Sequence, residues 1–273
     1  KFIFSKINDR LIINGFLNSV PIKITPDCEN ERNMKKEYWV YKNSTIKWKK
    51  NCEKIIISDF NNINKKINIY NNPKLSLNYL PTNLKSFKPF ENIVKSIKKG
   101  NIIIPVDENI KIRENTVLNK NLVLKLIKNQ NVFLSNGATL VIFGDLEIEG
   151  DKNNKSKIEG LEPGYGSLII NGNTNRISNT IFKNLKAPNL KGFSLYGAVN
   201  FINSENFIRD TIFTKSHSED FVNFINSKTE LENIELISTS SDAIDVDEGE
   251  LKFINLKCLD IGNDCLDFSN SEI

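Results

Sequence analysis

The chain has 273 residues, with 37 Lys and Arg against 33 Asp and Glu, and 39% of its residues are hydrophobic. This hydrophobic content supports a folded core, and the near balance of charge without a basic block disfavours nucleic-acid binding. No run of 18 apolar residues occurs, so we predict no membrane span in this segment. The abundance of Asn, Ile and Lys indicates an AT-rich coding sequence.

The first residue is Lys and the last residues fall inside a repeat, so we interpret the chain as part of a longer one. Its four cysteines are too few for a disulfide framework at this length. Cys28 and Cys52 could pair in an oxidising compartment, whereas we interpret Cys258 and Cys265 as small apolar fillers. No spacing of Cys or His indicates zinc.

Residues 1–85 carry short alternating or β-branched runs between Asn, Asp and Pro, which predict a small β-rich domain of unknown role. These runs are LIINGF, VPIKIT, EYWVYK, TIKWKK and KIIISDF. Residues 86–100 follow as a linker and a short amphipathic helix, with Phe90, Ile93 and Ile97 on one face and Gly100 as its stop. From residue 101 onward, strand-like runs follow one another.

A short repeat dominates the C-terminal part of the chain. Gly197, Asp220, Asp242 and Asp264 begin equivalent segments at successive separations of 23, 22 and 22, and YGSLIINGN (165–173) is a looser copy. No helix-length apolar pattern lies between the copies, which is typical of a stacked β-repeat. We therefore predict an all-β chain in which residues 101–273 form a right-handed parallel β-helix, truncated at its C-terminal end.

Side-chain alternation assigns the two faces of the first strand in each coil. We predict that five apolar pairs point inward. These are Leu168/Ile170, Val199/Phe201, Val222/Phe224, Ile244/Val246 and Leu266/Phe268. The second strands predict two further inward ladders. These are Ile177, Ile208, Leu231 and Leu251, then Phe182, Phe213, Leu236 and Leu256.

The segments GAVNF, SEDFVNFINS, SSDAIDV and GNDCLDFSNSEI carry a family resemblance, together with the earlier NVFLSNGATLVIFGDLEIEG. Residues 100–273 resemble the β-helix region attached to kinase-like proteins related to spore-coat protein H. This resemblance implies the pectin-lyase-like fold, which serves polysaccharide lyases, hydrolases and many non-catalytic surface proteins. The fold alone therefore does not determine the function.

A polygalacturonase-type hydrolase is the catalytic alternative. In that comparison, Asp242 takes the place of the Asp in the family's Asn-Thr-Asp segment, and Asp264 takes the second place of its Asp-Asp pair. Asn263 occupies the other place of that pair, and no Gly-His-Gly follows. An inverting hydrolase needs one carboxylic acid and one carboxylate base, so this set is incomplete.

Two polar ladders accompany the repeats. Asp220, Asp242 and Asp264 precede their strands, where a carboxylate can accept hydrogen bonds from turn amides. The other ladder, of mid-strand residues predicted to point outward, consists of Asn200, Asn223, Asp245 and Asp267, with Asp247 as the next outward position. Stacked carboxylates about 5 Å apart repel by roughly 1 kcal/mol in water. A raised pKa, a nearby Lys or calcium bound by Asp245 and Asp267 would relieve this repulsion.

We thus predict a β-helix module of the extracellular space or cell envelope that binds carbohydrate or another surface partner without catalysis. The predicted binding residues are Asp245, Asp247, Asp267, Asn223, Asn200 and Tyr196. His217, the single histidine, is interpreted as a solvated turn residue. A polysaccharide lyase or glycoside hydrolase and a structural stalk remain the alternatives.

Overall fold

A computed structural model gives the architecture of the chain. It describes residues 86–190, 195–269 and 271 with their side chains, and the backbone of eight short strands before them. The chain divides into two compact units, Lys1–Leu77 and Asn78–Ile273. Cys28 and Cys52 lie outside the described residues, so their pairing stays a prediction.

The described strands of the first unit form two four-stranded sheets, which agrees with the predicted β-rich character of this part of the chain. One sheet has the order β5-β2-β1-β8, with β1 (Phe2–Ile7), β2 (Arg10–Gly15), β5 (Ser44–Lys47) and β8 (Tyr70–Asn71). The other has the order β4-β3-β6-β7, with β3 (Ile22–Asp27), β4 (Tyr38–Val40), β6 (Lys54–Ser58) and β7 (Asn64–Asn68).

The second unit is a solenoid in which each turn, called a coil below, contributes strands to three sheets. Sheet 1 contains β9 (Lys88–Pro89), β13 (Thr116–Leu118), β16 (Ala138–Ile142), β19 (Gly166–Ile170), β22 (Gly197–Ile202), β24 (Asp220–Ile225), β26 (Asp242–Asp247) and β28 (Leu266–Ser269). Sheet 2 contains β10 (Ser96–Lys99), β11 (Ile102–Pro105), β14 (Val123–Leu126), β17 (Asp145–Glu149) and β20 (Thr174–Ser178). Sheet 3 contains β12 (Asn109–Ile112), β15 (Asn131–Leu134), β18 (Ser156–Gly160) and β21 (Thr180–Lys183). Three long strands run through sheets 2 and 3, namely β23 (Glu205–Thr214), β25 (Lys228–Thr239) and β27 (Glu250–Ile261).

Apart from β10, which pairs antiparallel with β11, the strands pair in parallel with their equivalents in neighbouring coils, and about seven turns stack in this way. The predicted parallel β-helix is therefore confirmed. All five predicted apolar pairs stand in register and point inward. The first four pairs are buried, and Leu266 and Phe268 are partly buried against the same core. Stacked rings of Phe201 and Phe224, 5.2 Å apart, continue this ladder.

The second-strand ladders are predicted correctly except in the last coil. Ile177, Ile208 and Leu231 stack in register, but Leu231 pairs with Phe253 rather than Leu251. Likewise, Leu236 pairs with Cys258 rather than Leu256. The reason is the length of this coil: the step from β24 to β26 is 22 residues, and β25 and β27 pair with the same step.

The predicted helix over residues 90–100 is much shorter than expected. Only Phe90–Ile93 is helical (α1), and Val94 is already extended. Residues Ser96–Lys99 instead form β10, which pairs antiparallel with β11 through a turn at Gly100, where φ is +62°. The adjacent strand offers hydrogen bonds to residues 96–99, and Ile97 lies exposed. Phe90 is fully buried, so the segment belongs to the β-helix.

Single residues in the left-handed conformation turn the chain at the corners of each coil. Between sheets 2 and 3 the corner residues are Asn179, Asp210, Asn233 and Asn255, with φ between +49° and +57°. Asn tolerates this conformation better than other non-glycine residues. The Asn233 Nδ2 donates to Asp210 Oδ1 at 3.1 Å, and Asn255 Nδ2 donates to Asn233 Oδ1 at 2.9 Å. The Asn content therefore has a structural use in addition to any coding bias.

At the corner between sheets 1 and 2, we expect substitution of Asn226 by Ala to lower the stability more than substitution by Gly. Asn226 has φ of +47° there, and its Nδ2 donates to Asn203 Oδ1 at 2.7 Å. Asn226→Ala should cost about 1–2 kcal/mol because Cβ disfavours this conformation in residues without a local polar partner. Asn226→Gly loses the same side-chain hydrogen bond without this penalty and should cost less. Thermal unfolding of both variants measures the difference, and equal losses would contradict the left-handed corner.

Cys258 and Cys265 form a disulfide, so their interpretation as separate apolar fillers is wrong. Cys258 continues the inward ladder of Phe213 and Leu236, and Cys265 follows Ala243 by the register of β26 and β28. Two coils earlier, the equivalent positions hold Phe213 and Phe221, whose rings meet edge to face at 5.6 Å. The disulfide thus joins two core positions that aromatic side chains join elsewhere.

Candidate functional site

The predicted outward ladder exists, but half of it is buried. Asn200, Asn223, Asp245 and Asp267 stand in register on the outer face of sheet 1, which confirms their parity. However, Asn200 is fully buried and Asn223 is 3% exposed. A second apolar cluster covers part of this face, because the segment before β22 packs on it. Its members include Val141, Ile169, Leu190, Leu195, Ile202 and Ile225.

Carboxylates gather where this apolar cover ends. Asp220 is only 5% exposed, Asp245 and Asp247 are half-buried, and Asp267 is exposed. Burial raises the pKa of Asp220 to about 7 and the pKa of Asp245 to about 8, and neighbouring carboxylates add to both shifts. Burial also raises the pKa of Asp247. No salt bridge of the described side chains involves these carboxylates, and relief by a nearby Lys stays a prediction.

Asn223 lies in the middle of these carboxylates. Its Nδ2 donates to Asp245 Oδ2 at 3.0 Å. Burial raises the pKa values of Asp220 and Asp247, and hydrogen bonding from Asn223 offsets part of this increase. The Oδ1 atoms of Asn223 and Asn200 are buried without a hydrogen-bond partner among the described residues. A buried polar atom of this kind is uncommon in a folded protein and costs free energy.

Gly197 occupies the position that Asp220 and Asp242 hold in later coils. A Cβ atom there would lie 2.7 Å from Asn200 Oδ1 and 2.9 Å from Asn223 Cβ. The first coil of this acidic region therefore has no room for a side chain at that position. This explains why the ladder begins with Gly and continues with Asp.

Asp242 and Asp264, the residues of the catalytic alternative, accept hydrogen bonds from within the chain. Asn263 Nδ2 donates to Asp242 Oδ1 at 2.8 Å and to Asp264 Oδ2 at 3.2 Å. The backbone N–H of Asp264 also donates to Asp242 Oδ1, at 2.8 Å. Asp242 thus accepts turn hydrogen bonds, as the structural interpretation of this ladder predicts. An amide at position 263 has no proton to supply as a general acid.

The aromatic residues at the same edge take different roles. Tyr196 is 47% exposed at the start of β22. The ring of Tyr165 stacks on His217 at 4.1 Å, and its hydroxyl donates to Glu162 Oε1 at 2.9 Å. His217 is exposed, as predicted for a turn residue, but it covers one face of Tyr165.

The described carboxylates are not grouped as a ligand set for calcium. Within residues 86–190, 195–269 and 271, no three His, Cys, Asp or Glu side chains lie together so that they could hold a metal ion. Asp245 and Asp267 are register neighbours, and calcium shared by this pair stays a prediction. In the same described part of the chain, none of the helices has the length and apolar character needed to span a membrane.

A groove of about 860 Å³ lies on the outer face of sheet 2, away from the predicted site. Two rows of outward side chains run along it across five coils. One row is Glu147, Arg176, Phe207, Glu230 and Lys252, and the other is Glu149, Ser178, Arg209, Glu232 and Ile254. These are the alternate residues of the second strands, so the sequence contains their positions once the inward ladder is assigned.

The middle of this groove is aromatic and carries charges that no described residue pairs. Phe207 is 38% exposed, and the Arg176 guanidinium lies 5.3 Å from its ring centre. The charged groups of Arg209, Glu230 and Glu232 make no ion pair or side-chain hydrogen bond with another described residue. By contrast, Lys125 pairs with Glu147 at 3.5 Å and with Glu149 at 2.7 Å.

The chain matches no protein-family model, no curated protein and no solved structure. The parallel β-helix is therefore established by the geometry of the chain itself. The relation to proteins associated with spore-coat protein H stays an interpretation of the sequence.

Proposed function

We propose that this chain is an exported β-helix module that binds a polysaccharide without cleaving it, in the groove on sheet 2. The observation that carries this proposal is the row of charges, unpaired by any described residue, beside a half-exposed aromatic ring in an elongated groove. Binding sites combine apolar surface with a few polar groups that fix orientation, and this groove has that composition.

Sugar chemistry fits the groove. A pyranose ring has an apolar C–H face that packs on an aromatic ring such as Phe207. Its hydroxyl groups both donate and accept, so Arg209 can donate to them while Glu230 and Glu232 accept from them. The rows repeat with the coil spacing of about 4.8 Å, and they therefore suit an extended chain of similar units rather than a compact ligand.

Export is supported by the disulfide. Cys258 and Cys265 are bonded to each other, and disulfides persist chiefly in oxidising compartments such as the extracellular space. This is consistent with the predicted extracellular or cell-envelope location.

A non-catalytic role is supported by the state of the carboxylates nearest to the hydrolase pattern. Asp242 and Asp264 both accept hydrogen bonds from Asn263, which stands where an acid is needed. We therefore expect no new reducing ends and no unsaturated products when uronate polymers are supplied. Cleavage that disappears in Asp242→Asn or Asp264→Asn would replace the binding proposal with the hydrolase alternative.

Polysaccharide binding should depend on the centre of the groove. Affinity electrophoresis in gels containing different soluble polysaccharides tests this, and it does not require the ligand to be identified beforehand. Phe207→Ala and Arg209→Ala should each weaken binding of the retarding polysaccharide by about tenfold or more, which corresponds to about 1.4 kcal/mol. Lys257→Ala, an exposed change on sheet 3, is the matched control and should bind like the parent.

The outcomes separate two surfaces. If Tyr196→Ala or Asp267→Asn abolishes retardation while Phe207→Ala does not, the ligand binds on sheet 1, as the sequence predicts. If no polysaccharide retards the parent protein, the carbohydrate proposal fails and a stalk role is favoured.

A further inference from the structure

The carboxylates on the outer face of sheet 1 have no role in the proposed binding of a polysaccharide on sheet 2. Among the described residues, every ionisable group that influences the pKa values of the buried carboxyls in this region is itself acidic. These groups are Glu219 and Asp220 at β24, Asp242, Asp245, Asp247 and Glu248 at β26 and its corner, and Asp267 on β28. Neighbouring coils therefore press like charges together at a partly desolvated surface.

The amide of Asn223 supplies the second, independent observation. Asn223 is 3% exposed and donates through Nδ2 to Asp245, yet its Oδ1 has no donor among the described residues. An ionised carboxylate can only accept hydrogen bonds, so none of the surrounding carboxylates can satisfy this oxygen while ionised. A protonated carboxyl has an O–H group and can donate to it.

We propose that Asp220, Asp245 and Asp247 around Asn223 form a proton-binding site that couples the stability of the C-terminal coils to pH. A bound proton removes one of the repelling charges, and it gives this cluster, in which Asn223 Oδ1 is buried without a partner among the described residues, an O–H donor that ionised carboxylates do not have. A metal ion would relieve the same repulsion, but no three carboxylates of this described region are grouped to hold one. This inference concerns a different face from the groove and does not depend on polysaccharide binding.

The direction of the pH effect follows from the raised pKa values. The unfolded chain loses these protons near pH 4, whereas the folded chain keeps them until pH rises through about 7 at Asp220 and about 8 at Asp245. Between these limits the folded state binds more protons than the unfolded state. Stability is therefore highest at the acidic end of this window and falls as pH increases through neutrality.

Thermal unfolding at about pH 5.5 and about pH 8.5 tests the proposal, because the shifted carboxyls change charge between these values. The measurement uses the full chain with His217→Gln, which removes its only histidine from the comparison. We expect Tm to be several degrees higher at the lower pH. Adding Asp245→Asn should raise Tm at the higher pH and shrink the difference. Adding Asp107→Asn instead, a change at an exposed carboxylate in an early coil, should leave the difference intact.

Three results would overturn the proposal. The first is a Tm that is flat or rises with pH, and the second is an Asp245→Asn variant that behaves like the Asp107→Asn control. The third is a Tm increase with millimolar calcium at about pH 8.5 that disappears in Asp245→Asn, which would assign a cation rather than a proton to the site.

A direct titration keeps the proposal testable if Asp245→Asn does not fold. The side-chain carboxyl carbons of the parent protein, followed by NMR, should show midpoints above about pH 6 for Asp220 and Asp245, compared with about 3.9 for an ordinary Asp. Midpoints below about pH 5 for both of these residues would contradict the proposal.

Discussion

Ile244→Asp should unfold the C-terminal coils. Ile244 is 1% exposed and stacks in register between Val222 and Leu266, so a carboxylate there would have no solvent and no partner. The change removes buried apolar area worth about 2–5 kcal/mol and adds the cost of burying a polar or charged group. Urea unfolding should show a loss of several kcal/mol, or no folded protein at all.

The matched control is Lys257→Asp, because Lys257 is exposed on β27 and makes no ion pair in the described part of the chain. It should change stability by less than about 0.5 kcal/mol. Similar losses in the two variants would show that the inward assignment of sheet 1 is wrong, and the argument for the acidic cluster would fail with it.

Breaking the disulfide should produce the second large effect. Cys258 and Cys265 are seven positions apart, and closing a loop of this size is worth about 2–3 kcal/mol on the chain-entropy scale. The double variant Cys258→Ser/Cys265→Ser should therefore unfold about 5–10 °C below the parent, given the size of the second unit. Differential scanning calorimetry measures this shift.

A reducing agent provides the control for this experiment. Under the same reducing conditions, the parent should unfold at about the Tm of the double variant, because reduction of a Cys28–Cys52 pair would affect both proteins equally. If the reduced and oxidised parent unfold at the same temperature, the bond either does not form in solution or does not stabilise these coils.

The features that repeat in the sequence are the ones that could be predicted from it. The nearly constant step between the last coils, together with the alternation in segments such as SSDAIDV, determines which side chains of sheet 1 face the core. Val222 and Ile244 lie where that pattern places them. Parallel strands in register permit no other assignment, because a shift by one residue would turn every side chain to the opposite face.

Features that depend on neighbouring coils were not predictable in the same way. Alternation assigns Asn223 to the outer face, but only the packing of Leu190 and Leu195 on that face shows that an outward residue can be buried. In the last coil, Leu251 and Leu256 were assigned to the wrong positions of the ladders. Both residues face inward as predicted, but each lies two positions before the residue that continues its ladder. Similarly, the Cys258–Cys265 bond depends on a contact between ladders of different sheets.

The groove on sheet 2 shows a further limit. Residues such as Phe207 and Arg209 alternate with the inward ladder and are found by the same parity rule that assigns the core. What parity does not reveal is which exposed charges lack partners, because that depends on side-chain geometry across coils. The carboxylate-rich segments were conspicuous in the sequence, whereas the mixed second strands were not.

The one-residue corners also bear on how such a gene can lengthen. Because corner residues such as Asn233 and Asn255 must stack directly on one another, inserting one residue into a strand would shift the corner and reverse the faces that follow it. Recombination that adds or deletes one whole coil keeps every ladder aligned. Tandem duplication and unequal crossing-over are therefore the genetic events that this architecture tolerates, and coil number should vary among descendants more readily than coil length.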